Sequence, residues 1–79
     1  MEERVKRAID KAEKLIKRAF PETDVELKVL NKAKSYLKDA RYFFAMGDFV
    51  SAFGAADYAY GLVEAVYIMR GLPLPDDAL

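Results

Sequence analysis

Residues 36–65, YLKDARYFFAMGDFVSAFGAADYAYGLVEA, constrain this chain more than any other stretch. They hold eight of its ten Tyr and Phe residues, so most of the bulky apolar surface sits in one place. Gly47 in the middle is a left-handed helix stop, free of the steric penalty a side chain would bring. Asp48 next to it is a helix N-cap. A turn this tight makes the two flanking helices an antiparallel hairpin. The second of them is apolar around most of its circumference, and such a helix must be covered by something. Contact, rather than catalysis, is what the segment points to.

Two more helices' worth of signal precede the turn. Val5, Ile9, Ala12, Ile16 and Ala19 recur at alternating spacings of four and three, with Ala8 and Leu15 widening the stripe, which predicts a first helix over residues 2–20. Glu2–Lys6, Glu3–Arg7, Asp10–Lys14 and Glu13–Lys17 each place an acid four residues before a base, the favourable order on an exposed helix. Phe20-Pro21 ends it, because the residue before proline is pushed out of the helical region. Thr23 with Glu26 three residues later has the spacing of a capping box and opens the second helix. Its apolar face is Val29, Leu30, Ala33, Tyr36, Leu37, Ala40, Phe43 and Phe44, with Tyr42 on the outer face. The third helix is expected over residues 49–70, stopped by Gly71. Pro73 and Pro75 exclude further helix. The fold expected is all-α: an up-down-up antiparallel three-helix bundle over residues 1–71, with a short extended tail over 72–79.

Placed at 100° per residue, the third helix has two apolar faces. Phe49, Phe53, Ala56, Tyr60, Val63 and Tyr67 form a bulky one, and Ala52, Ala55, Ala59, Leu62, Val66 and Met69 a smaller one. Between them runs a narrow strip of Val50, Gly54, Asp57, Gly61, Glu64 and Ile68. Two neighbours in a bundle cover about half of a helix, leaving the remainder for a partner subunit. Two mid-helix glycines cost about 1 kcal/mol each relative to alanine, and close backbone approach would compensate. The candidate interface is therefore Tyr42, Gly54, Asp57, Tyr58, Tyr60, Gly61, Glu64 and Tyr67, with core edge and interface equally open for Tyr58, Tyr60 and Tyr67. Tyr36, Phe43, Phe44 and Phe53 are expected in the core.

Composition excludes much chemistry. Without cysteine there is no disulfide, thiolate nucleophile or cysteine-ligated metal; without histidine the usual base near neutral pH is missing. No catalytic residue, cofactor, metal or small-molecule substrate is inferred. The longest uncharged stretch, residues 49–56, is far too short to span a bilayer, so no membrane contact is expected. The amino-terminal residues lack the apolar run of a signal peptide, making a cytoplasmic location the default. Absent Gln and a single Asn, beside abundant Lys, Arg and Glu, are compatible with a thermophilic source.

Net charge is zero but unevenly spread: residues 1–45 carry 12 basic and 8 acidic groups, and residues 46–79 carry 1 and 5. Such asymmetry could favour self-association. Solvated faces on two helices beside a buried third are the plainer account. Lys28, Lys32, Lys34, Lys38 and Arg41 form a basic side on the second helix that could meet phosphate. Glu26 and Asp39 interrupt it, so nucleic-acid binding by the first two helices is the alternative, not the leading expectation. Asp57 and Glu64 could hold a cation, yet a bundle metal site draws ligands from several helices. A solvated strip or an ion pair is the preferred account of them.

The run AR-YFFAMGDFVSAFGAADYAYGLVEA resembles an archaeal domain-of-unknown-function family, number 357, with its A-x-YF-x-x-GDY-x-x-A-x-x-x-x-x-YA-x-G-x-LDA signature. Gly47, Asp48, Ala52, Tyr58, Ala59, Gly61 and Ala65 fall on its positions, and Ala40, Tyr42 and Phe43 do so with one extra residue before Gly47, while Phe49, Val63 and Glu64 replace tyrosine, leucine and aspartate. The resemblance implies a small up-down-up bundle and no activity. The hairpin also looks like half of a tetratricopeptide-type repeat, but no second copy follows at about 34 residues, so no solenoid is expected. The leading expectation is a non-enzymatic module for protein–protein contact, a homodimer through the third helix.

Overall fold

A computed structural model describes residues 1–74. It contains three helices, α1 (Glu2–Arg18), α2 (Asp24–Ala45) and α3 (Phe49–Met69), with no strand among the described residues. The expected all-α three-helix bundle is what forms. Tyr36 stacks on Tyr58 at 4.4 Å and Phe44 meets Phe49 at 5.4 Å. Moving back along α2 thus moves forward along α3, so the two run antiparallel. Arg4 and Arg7 share a groove with Phe53 and Asp57, while Lys11 sits over Tyr60 further along, so α1 and α3 run the same way.

Each helix end has a local cause. Gly47 adopts φ +80°. The Asp48 amide donates to the Phe43 carbonyl at 2.9 Å and the Gly47 amide to the Phe44 carbonyl at 3.0 Å, the paired bonds of a Schellman ending. Gly71 repeats the device at φ +69°, with the Leu72 amide donating to Tyr67 and its own to Ile68. The Asp48 carboxylate accepts from the Ser51 amide at 3.1 Å, as an N-cap should. The α1 end differs from expectation by two residues. Ala19 already has ψ 133°, so the helix stops at Arg18 and Phe20 lies exposed. The restriction that proline imposes on Phe20 is met one residue early, which frees the Phe20 carbonyl for a side-chain donor.

Val5, Ile9, Ala12, Leu15 and Ile16 of α1, Leu30, Ala33, Leu37 and Ala40 of α2, and Ala52, Ala56, Ala59 and Val63 of α3 make the core. Ala33 and Ala40 of α2 and Ala52, Ala56 and Ala59 of α3 are fully buried in it. The largest interface is between α2 and α3, then α1 and α3, while α1 and α2 touch least. α3 is thus the shared helix. That is why it carries two apolar faces: one meets α2 and the other α1, and both merge at Ala52, Ala56, Ala59 and Val63. Leu74 packs partly buried against the core. Of the expected tail, residues 75–79 lie outside the described residues.

Candidate functional site

With α3 covered on two sides, its third side is what the molecule presents. Val50 is 75% exposed, Ile68 63% and Met69 80%, with Gly54, Asp57, Tyr58, Gly61 and Ala65 exposed between them. Asp57 is the one charge among these. A Cβ added to Gly54 or Gly61 would meet nothing within 4 Å. The described residues therefore give no packing reason for either glycine. Tyr58, Gly61, Leu62 and Ala65 line a shallow apolar depression beside the Tyr36–Tyr58 stack.

The structure divides the expected interface residues. Gly54, Asp57, Tyr58 and Gly61 share the exposed side of α3, and Tyr42 projects from α2, 61% exposed. Tyr60 and Glu64 are half-buried at the α1 edge, where burial and then the Glu64 charge push the Tyr60 phenol upward. Tyr67 does not belong with them: it is buried to 8% exposure in the core, one helical turn before the α3 cap. Phe53 departs in the other direction. Expected in the core, it is 40% exposed, because α1 presents only the short Ala8 and cationic side chains nearby. Tyr36, Phe43 and Phe44 line the core's edge, half-buried.

A groove of about 420 Å³ opens between α1 and α3 beside Phe53. Arg4, Arg7 and Lys11 form its α1 wall, and Phe53, Asp57 and Tyr60 its α3 wall. The Lys11 ammonium lies 5.0 Å from the Tyr60 ring centroid, a cation–π distance. No sequence motif signals this constellation, since it joins positions about fifty residues apart. Asp57 and Glu64 do not assemble a metal site, and among the described residues no cluster of three or more potential ligands occurs.

The basic side expected on α2 is also divided. Helical projection puts Lys34, Lys38 and Arg41 toward α1, away from Lys28 and Lys32, and Arg41 is held by Glu13. Sequence reading missed Arg70 as well. Its guanidinium grips the Glu26 carboxylate and the Phe20 carbonyl, with Glu22 3.5 Å from Nε. Glu26 accepts from the Glu22 amide at 2.8 Å, one residue before the amide a reciprocal capping box would use. The Thr23 half of the box forms as expected, its hydroxyl accepting from the Glu26 amide at 3.1 Å.

Among the described residues no helix is long and apolar enough to cross a membrane. Neither the curated proteins nor the solved structures include a match to the chain. A family model described as "Protein of unknown function (DUF357)" matches residues 2–72, taking in all three helices, the glycine-capped hairpin and the Arg70 clasp. The chain belongs to that family.

Proposed function

We propose that this protein is a non-enzymatic self-association module whose α3 outer face binds a second copy of the chain. The observation that carries the reading is the pair of exposed glycines, Gly54 and Gly61, seven residues apart on one side of α3 with open space above both. Each costs about 1 kcal/mol of helix stability relative to alanine. A second helix approaching backbone to backbone would supply the missing return. Val50, Tyr58, Ala65 and Ile68 around the glycines give that approach an apolar surface, and tyrosine suits interfaces because an apolar body carries a polar tip. Tyr42 would lie at the rim. A cytoplasmic location belongs to the same reading, since a cysteine-free bundle draws nothing from an oxidising compartment. So does an archaeal, thermophilic source, in keeping with the scarcity of amide side chains.

Sedimentation velocity of the full chain across micromolar concentrations tests the dimer. A species of twice the 9.0 kDa chain mass that dissociates on dilution is expected. A single 9.0 kDa species at every concentration overturns it.

A further inference from the structure

The α1–α3 groove has a chemistry of its own, and it meets the outer face of α3 at Asp57. Arg4, Arg7 and Lys11 recur at spacings of three and four, so they line one edge of α1 over about 10 Å. Opposite them stand the half-exposed Phe53 ring and, further along, Tyr60. Among the described residues the lining holds three cations and one carboxylate, Asp57. Among the described residues neither Arg4 nor Arg7 has an ion-pair partner, whereas Lys11 rests over Tyr60. Guanidinium groups match a phosphate's oxygens with paired N–H donors. An exposed aromatic face accepts a planar ring by stacking, indifferent to the ring's edge. The groove's 420 Å³ lies within the range of about 300–1,000 Å³ typical of small-ligand sites.

We propose that this groove binds a small phosphomonoester carried on a flat ring, of nucleoside monophosphate size, with phosphate on Arg4 and Arg7 and the ring against Phe53. Asp57, at the open edge, accepts a hydrogen bond from a ring or sugar donor. It also repels a ligand placed with its phosphate toward α3, which fixes the orientation.

Amide chemical shifts of the ¹⁵N-labelled full chain, titrated separately with adenosine 5′-monophosphate, adenosine, inorganic phosphate and a short single-stranded oligonucleotide, test this. The monophosphate should saturate shifts confined to residues 4–11 and 53–60, with an affinity about millimolar or tighter. Adenosine and phosphate should each bind about tenfold more weakly, because each reaches one wall only. Arg4→Ala with Arg7→Ala should weaken the monophosphate by about tenfold or more. Both side chains are exposed, so their removal leaves the core intact, which the dispersed spectrum verifies. Phe53→Leu should weaken the monophosphate and adenosine while leaving phosphate unchanged. Absence of saturable shifts, equal binding by the double-arginine variant, or binding of the oligonucleotide without the monophosphate would overturn the proposal.

Discussion

Arg70 is the one cation beyond residue 45, and its position explains why it is kept. It closes the end of the bundle where the α1–α2 connection meets the last turn of α3. Its Nε donates to Glu26 at 3.2 Å, and its terminal nitrogen reaches Glu26 and the Phe20 carbonyl together. A planar guanidinium sets two nitrogens against the two carboxylate oxygens, a fork that an ammonium lacks. The hydrogen bond from Arg70, followed by that from the Glu22 amide, holds the Glu26 carboxyl down at about 2 from its usual 4.5, and Glu26 in turn raises Arg70. A carboxyl depressed on folding contributes stability above its unfolded value, and that contribution is lost as pH falls through its folded value. The urea midpoint should therefore fall between pH about 4.5 and about 2, and Glu26→Gln should flatten much of that fall. Asp48, lowered by the Ser51 hydroxyl and then its amide, adds a loss of its own at acid pH, so the comparison is made against wild type with Asp48 intact. Arg70→Lys should lower the thermal midpoint at neutral pH, since it keeps the charge and loses the fork. A pH profile unchanged by Glu26→Gln would contradict this account.

The helices differ in how much of them could be read without a structure. Gly47, Asp48 and Gly71 announce their roles because caps depend on residues adjacent in sequence. The same holds for Thr23. Phe53 departs from the core position its spacing indicates, and Tyr67, for which spacing leaves core edge and interface open, falls in the core, because periodicity gives direction but not the size of the neighbour. Phe53 faces a helix whose nearby residues are Ala8 and long cations, so α1 covers it poorly. Tyr67 lies where the chain closes over the bundle end, so it is buried. Glycines separate the same way. Gly47 at φ +80° needs its conformation, so Gly47→Ala should cost about 1–2 kcal/mol by denaturant unfolding. Gly54 and Gly61 are helical with open space above them, so alanine at either should instead stabilise the isolated chain by about 1 kcal/mol. In the dimer those same methyl groups would hold the two α3 helices apart. The double alanine variant should thus unfold at higher denaturant when dilute and dissociate more readily when concentrated. Stabilisation with unchanged self-association would remove the glycines from the interface.

At the scale of the molecule, the central place of α3 follows from its sequence only in part. Its two apolar faces require two neighbours, and α1 and α2 are the two helices the described residues supply. Which side would remain open was visible as the strip of Val50, Gly54, Asp57, Gly61, Glu64 and Ile68, of which only Glu64 turns out half-buried. The groove with Arg4, Arg7 and Phe53 was not, because it depends on the register between α1 and α3, which no local pattern specifies. The open side supplies a last test. Val50 and Ile68 are mostly exposed, so Val50→Lys with Ile68→Lys should change the monomer's stability by no more than about 0.5 kcal/mol per site. Two ammonium groups on each copy would face their symmetry mates across a twofold interface, where like charges repel. Self-association ties thermal stability to protein concentration by mass action. The wild-type thermal midpoint should therefore rise with concentration, and that of the double lysine variant should stay flat at the dilute wild-type value. Parallel concentration dependence in both proteins would place the contact elsewhere on the bundle.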